Sequence, residues 1–306
     1  MATSISNLAL DIAAKESVRA ARTKLAPLGL FAHSFAESAQ EKGAVVKVPV
    51  YSRAAAAEFA AGTNDYTSAS TTGLDGKNIE LNKHPWAARR LLPDDQMETD
   101  AGRDWTEQTT VCCVESVAKY MADTVLVDGV LKGTGTTAMT ISGSGAIAKV
   151  KNMRKAAIAA GVNPGEATLL LPADLYSDLI EALPYNTIGA QEALVDGYVD
   201  RFMGFARVAE LQDAVGYTNA SDKAVTLDAA IVANDAIGIA TRLPLVQNPD
   251  LFEVATLSVP EIGPWSFQIR STGANATDAK YLGAEVVFGF ALLQPAKILV
   301  ASTTAS

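Results

Sequence analysis

The sequence has little of what usually carries chemistry. Its 306 residues include two histidines, His33 and His84, and two cysteines, Cys112 and Cys113. Neither histidine has a partner at metal-ligand spacing and no Cys/His cluster exists, so no metal centre is read. His84 lies in His84-Pro85-Trp86 at the end of a strand candidate and reads as structural. Adjacent cysteines make no disulfide framework. Inside a helix their side chains diverge by about 100°, so each reads as a small buried hydrophobe suited to a reducing compartment. There is no G-x-x-x-x-G-K-[ST] loop and no G-x-S-x-G elbow. Gly133-Thr134-Gly135-Thr136-Thr137-Ala138 has the letters of a dinucleotide fingerprint, but that motif needs a strand before it and a helix opening at it. Here a helix precedes and a Ser/Gly loop follows, so it reads as a turn. The residues nominate no catalytic, cofactor-binding or metal-binding group, and none of them points to an enzyme.

Other classes lack their signature too. Met1 to Ser17 has no cationic leader followed by an apolar core, so it does not read as a signal peptide. The most apolar stretch, Glu285 to Ala301, is broken by Gln294, Pro295 and Lys297, too short and interrupted to span a membrane. Two sequons, at Asn219 and Asn275, mean little without secretion. Aromatics make up only 7% of the chain, although 49% is hydrophobic. Acidic residues outnumber basic ones, 34 against 25, giving a net charge of −9. That balance does not suit a protein gripping nucleic acid over its whole surface. It favours solubility, and it suits a surface that holds DNA nearby without sticking to it.

What is present is organised around Arg103 to Val130. Asp104 with Glu107 resembles a capping box. Val111, Val114, Ala118, Ala122 and Val125 form one apolar stripe at helical spacing, and Cys113, Val117, Tyr120, Met121 and Thr124 form an adjoining one. Two apolar faces predict a helix covered on more than one side, a central spine about 38 Å long. Before it, residues 1–42 carry Ile5, Leu8, Ile12, Val18, Ala21 and Leu25 at helical spacing, with Pro27 and Gly29 interrupting. Lys15, Arg19, Arg22 and Lys24 make this arm locally basic. It is either a solvated helix face or an arm that packs on a neighbour or acidic partner.

Val45 to Val50 alternates as a strand, and Asn78 to Lys83 is its polar counterpart. Between them Arg53 to Thr72 is small and polar. A lone two-stranded hairpin is marginal in water, and this tip has almost no core-forming residues. The hairpin is therefore expected to lie on another subunit. Trp86, Arg89 and Arg90 followed by Asp94 and Asp95 form a charge-dense patch, readable equally as a surface ion-pair cluster or as a subunit contact. After the spine, Ala146 to Ala160 is a second helix with Ile147, Val150, Met153, Ala157 and Ile158 on its apolar side, ended by Gly161. Ala167 to Leu171 is a buried strand, and Pro172 opens a helix with Leu175, Leu179 and Ile180. Residues 184–244 read as alternating short strands and helices. Leu251 to Val259, Phe267 to Ser271 and Glu285 to Val300 read as strands, the last long and apolar.

This order of segments resembles a tailed-bacteriophage major capsid protein of the Hong Kong-97 type. The stretches that carry the likeness are Val45 to Tyr51, Phe59 to Tyr66, the spine, the strand-to-helix junction from Leu169 to Leu179, and the closing strand broken by Pro295. The resemblance implies an α+β phage-capsid fold: an N-terminal arm (1–42), an extended β-hairpin loop (43–92), a peripheral domain with the spine helix (93–165 and 245–306) and an axial α/β domain (166–244). It implies a structural protein that self-assembles as pentamers and hexamers into an icosahedral shell around double-stranded DNA, without sequence-specific binding, cofactor or membrane. The expected partners are itself, a separate scaffolding protein (the chain starts too near the arm to carry a fused one), a portal and a decoration protein, with assembly in the host cytoplasm. The subunit contacts it suggests are Glu58, Phe59, Asp65 and Tyr66 in the loop and Trp86, Arg89, Arg90, Asp94 and Asp95 beside the spine. Lys77 and Lys83 lie in the loop, but no isopeptide partner is identifiable. The alternatives are an encapsulin-type bacterial compartment shell, which has the same fold, or an α+β enzyme.

Overall fold

The computed structural model describes residues 3–35, 45–50, 75–91, 102–182, 198–211, 213–244, 253–259, 265–274 and 279–305. The spine is α2, Gly102–Thr124, continued as a π-helical turn over Val125–Leu131. Its apolar stripes are buried as their spacing requires: Val114, Val117, Ala118, Met121 and Val125 are nearly inaccessible. One stripe member and one neighbouring cysteine depart from expectation. Tyr120 is half exposed and Cys112 is exposed, while its neighbour Cys113 is buried. The 100° step between neighbours carries one thiol inward and the other out.

The first helix, α1 (Thr3–Phe31), lies along the spine and does not stop at Pro27 or Gly29. Proline removes one backbone donor and strains the preceding turn. Here Leu25, Leu28 and Phe31 are all buried on either side of it. Each buried side chain of this size stabilises by about 1.5–3 kcal/mol, enough together to hold the helix through the proline. The Leu30 carbonyl at its end accepts from Thr168 Oγ1 (3.2 Å) and Arg207 Nη1 (3.3 Å). The later half of the expected arm is therefore part of this subunit's own core.

Strand β1 (Ala32–Ser34) follows α1, then the hairpin strands β2 (Val45–Val50) and β3 (Asp75–Glu80), then β4 (Trp86–Leu91). Strands β2 and β3 pair antiparallel with Val46 opposite Ile79 and Val50 opposite Asp75. Expectation is corrected in two ways. The hairpin base is not left for another subunit, because Val46, Val48, Ile79 and Leu81 are buried with Ala240, Val287 and Leu293 of the same chain. And β4, inside the 43–92 segment read as the extended loop, is not part of the hairpin; it joins a different sheet. The Arg53–Thr72 tip lies outside the described residues.

After the spine come the two-residue β5 (Thr137–Ala138), α3 (Ala146–Ala159), β6 (Ala167–Pro172) and α4 (Ala173–Glu181). Gly161 follows α3 at φ +75°, as a left-handed helix stop requires. The apolar side of α3 buries Val150, Met153 and Ala157 but leaves Ile147 and Ile158 exposed. From 198 on, the described residues before 245 form strands only: β7 (Tyr198–Asp200), β8 (Arg207–Leu211), β9 (Gly216–Thr218), β10 (Ala224–Ala233) and β11 (Ile237–Arg242). The helices expected there do not appear among them. The end of the chain is β12 (Glu253–Val259), β13 (Trp265–Ala274), β14 (Ala279–Glu285), β15 (Val287–Leu292) and β16 (Ile298–Thr304). The single strand read over Glu285–Val300 is thus two, separated by a 3-10 turn at Pro295–Lys297.

These strands make three main sheets. One has the order β5-β16-β10-β6-β8-β7, with β9 on β10. A second is β1-β11-β15. The third, β12-β13-β14-β4, packs one face on α1 and α2. The β2–β3 hairpin sits across β15, where Lys83 and Phe288 exchange backbone hydrogen bonds of 3.1 and 2.9 Å. Glycine is required there: a Cβ on Gly289 would fall on the Glu80 carbonyl.

Candidate subunit interface

The third sheet has two unlike faces, set by strand alternation. Its inner face is apolar: Ala255, Leu257, Trp265, Phe267, Ile269, Leu282 and Ala284 are buried. Cys113 of the spine meets this face, its Sγ 3.8 Å from the Leu282 carbonyl. Burial pushes its thiol pKa up, so it is held as a neutral apolar group. The register places Trp86 opposite Glu285, Ala88 opposite Gly283 and Arg90 opposite Tyr281 on the outer face. Gln268 and Arg270 of β13, and Val254 and Thr256 of β12, continue that face.

The outer face is where packing stops. Trp86 is 72% exposed and Val254 40% exposed. Beside Trp86 is a cleft of about 200 Å³ with a floor of Ala87, Ala88, Gly283 and Ala284, walled by Tyr281, Arg270 and Glu285. The floor is shallow because β4 and β14 approach closely; a Cβ on Gly283 would lie 3.1 Å from Ala88 Cβ. Glu285 organises the charged end. It pairs with Arg270 and is 2.9 Å from His84 Nε2, while Arg270 Nη2 donates to Gln268 Oε1 at 3.1 Å. An indole, a flat small-residue floor and a fixed ion pair are the ingredients of a contact patch with an apolar centre and a charged register mark.

Of the residues nominated from sequence, the fold brings Trp86 and Arg90 onto this one face. Arg89 falls on the opposite side of β4, across from Leu282, so the expected single patch is split by the two-residue period. Glu58, Phe59, Asp65, Tyr66, Asp94 and Asp95 lie outside the described residues. His84 acquires the carboxylate partner just described. Tyr281, Arg270 and Glu285 were not nominated. They come from two strands some 180 to 200 residues later in sequence, β13 for Arg270 and β14 for Tyr281 and Glu285, and the available signal was the alternation of small and large residues in Ala279–Glu285.

A second charged cluster ties the arm helix to the spine. Asp213 accepts from Lys24 at 3.1 Å and Lys119 at 3.0 Å, with Glu115 3.8 Å from Lys24. The hydrogen bonds from Lys119 and Lys24 hold the Asp213 pKa below its ordinary range. Asp123 nearby is shifted upward, chiefly by burial. Among the described residues no group of three His, Cys, Asp or Glu could hold a metal ion, and no helix is long and apolar enough to cross a membrane.

A spine helix, an arm helix laid along it, a hairpin seated on a body sheet and a Pro-broken pair of closing strands shared between two sheets together define the α+β capsid fold of tailed phages. No family model matches the chain, and no curated protein matches it. Solved structures do. The capsid of a native GTA particle superposes with a TM-score of 0.56 at 12% identity, covering 91% of this chain and 90% of that one. The capsid of cyanophage P-SCSP1u gives 0.51 at 12% identity, covering 89% and 86%. A virus-like particle from Pyrococcus furiosus gives 0.50 at 12% identity, covering 94% and 98%.

Proposed function

We propose that the chain is the major shell subunit of a tailed-phage capsid, assembling with copies of itself into a closed icosahedral container for double-stranded DNA. The observation that carries this reading is the fold likeness over nine-tenths of both chains to the GTA capsid. Each subunit has at least one unsheltered patch, around Trp86, ready for a neighbour. Head-to-tail contacts of one chain close into rings when the rotation fits, and many modest contacts per subunit act together. The loop residues Glu58, Phe59, Asp65 and Tyr66, with Asp94 and Asp95, are assigned to those contacts beside Trp86 and Arg90. The work is structural and no catalytic step is assigned. Scaffolding, portal and decoration proteins are its expected partners, and the virion shell is its location, with assembly in the host cytoplasm. The division into arm, loop, peripheral and axial parts is retained with two borders crossed: β4 of the loop segment pairs with β14 of the closing segment, and β16 of the closing segment pairs with β10 in the sheet of the axial segment.

A bacterial compartment shell is the second reading, favoured by the near-complete coverage of the Pyrococcus furiosus particle. Electron microscopy of the protein expressed with its genomic neighbours tests both. Closed particles filled with nuclease-protected DNA support the phage reading. Closed particles filled with a co-encoded protein support the compartment. Monomers or dimers under all conditions overturn the two together.

A further inference from the structure

Charge is sorted along the chain around α3 and α4. From Gly129 to Gly165 there is no Asp or Glu, and from Ala156 to Asp200 there is no Lys, Arg or His. The two helices carry the two halves of this pattern. On α3, Ile147, Lys151, Arg154, Lys155 and Ile158 fall within an arc of about 100°, turned away from the buried Val150, Met153 and Ala157. All five are exposed, and the stripe runs about 16 Å along the helix at 1.5 Å per residue. Two exposed isoleucines bracket the cations, giving the stripe apolar ends that only a contact would bury. On α4, Asp174, Ser177, Asp178 and Glu181 recur at intervals of three and four residues and so share one face. That face is exposed and turned away from the buried Leu175, Tyr176 and Leu179.

Neither stripe is neutralised inside the subunit. The two helices are neighbours, yet among the described residues no charged side chain of either stripe makes an ion pair or hydrogen bond. The other charged groups near α3 are few. Arg154 leans on Gly204 of the β7–β8 turn, about 3.1 to 3.4 Å from where a Cβ would stand, with Asp200 and Arg201 at the start of that turn. Glu166 stands in the 3-10 turn after α3. None of them bonds Lys151 or Lys155. We infer that the basic stripe of α3 docks on the acidic stripe of α4 in a second copy of the chain. Every copy carries both faces, so the contact is head-to-tail, the kind that closes into rings. Complementary potentials select the face that is met, and like charges brought together there are costly. The inference rests on the proposed self-assembly and adds two faces that meet in it, separate from the sheet around Trp86.

The test uses two full-length variants. Lys151→Glu with Lys155→Glu turns the α3 stripe net acidic, and Asp178→Lys with Glu181→Lys turns the α4 stripe net basic. Arg154 is left for its packing on Gly204, and Asp174 for its place in the first turn of α4, where a carboxylate favours the helix. Each variant alone should raise the subunit concentration needed for assembly at least about tenfold, read by light scattering. Its melting temperature should stay near the wild type's, because the altered side chains are exposed. An equimolar mixture should recover association, read by energy transfer between separately labelled variants. In the mixture each acidic α3 finds a basic α4 and each basic α3 an acidic one, a rescue that pairing within one subunit could not give. If a double variant melts early, the single reversals Lys155→Glu and Glu181→Lys are mixed in its place. The inference is overturned, with the shell reading left standing, if both variants assemble as the wild type does or if folded variants stay apart on mixing. Loss of packaged DNA in the α3 variant beside a normal α4 variant also overturns it, and places nucleic acid on α3 instead. A wild type that never associates overturns the shell reading and this contact together.

Discussion

Trp86 gives up about three quarters of its surface to solvent, so it contributes little to holding the subunit together. Its value lies in what it can bury against. A large aromatic at the centre of a contact typically contributes 2 kcal/mol or more to association, while substituting a surface residue shifts folding stability by only about 0.5 kcal/mol. Trp86→Ala is therefore expected to leave the melting curve of the unassembled subunit nearly unchanged and to raise the subunit concentration needed for assembly at least tenfold. Light scattering during assembly, beside a melt of the same sample, measures both. A large loss of folding stability with unaltered assembly would remove Trp86 from the interface. Gly289 is the converse case, a residue with no surface role whose missing side chain lets the hairpin reach the body.

At the scale of elements, the Asp213 cluster decides how firmly α1 is tied to the spine. Its carboxylate is shifted downward by hydrogen bonds from Lys119 and then Lys24. A depressed carboxylate contributes stability above its unfolded pKa, about 3.9, and loses it as pH falls through the lower folded value. The Lys119 shift is upward, mainly through the same bond, and its share is lost above about pH 10. Asp213→Asn should thus melt below the wild type at pH 7, with the gap narrowing below about pH 4. Thermal melts at pH 7 and pH 3 check this; a gap independent of pH means the pair does not stabilise the fold. The same element shows what sequence could and could not reveal. The spine, α3 and β6 were legible because their apolar periods are uninterrupted, and Val45–Val50 because it alternates. Its partner strand runs over Asp75–Glu80 and not the expected Asn78–Lys83, since a polar strand carries no period to fix its ends. The passage of α1 through Pro27 was not, because the compensation comes from Leu25, Leu28 and Phe31 meeting distant partners. Nor was the split of Glu285–Val300 into strands of two sheets, since a continuous apolar run does not say which neighbour each half pairs with. The candidate interface was half legible: Trp86 and Arg90 stood out, whereas Tyr281 and Glu285 join them only through the β4–β14 register and Arg270 through the β13–β14 register.

For the whole molecule, the division of labour within the hairpin is the decisive matter. Its base belongs to the subunit, with Val46, Val48, Ile79 and Leu81 buried against β11, β15 and the Leu293 that follows. Its tip, Arg53–Thr72, has a composition that cannot build a core of its own and is assigned to a neighbouring copy. The register makes these roles separable. Val50 stands opposite Asp75, so removing residues 53–72 leaves Tyr51, Ser52, Gly73 and Leu74 to join the strands, a four-residue connection within the common range for hairpins. The shortened subunit should therefore fold, with the hairpin base in place and a melting temperature near that of the parent. It should fail to close shells, because a contact repeated at every subunit is lost at every subunit, and avidity falls with each one removed. Sedimentation velocity separates the outcomes: a slow, discrete species is expected, and particles of normal size would mean that the tip is dispensable and that the sheet face around Trp86 carries assembly by itself.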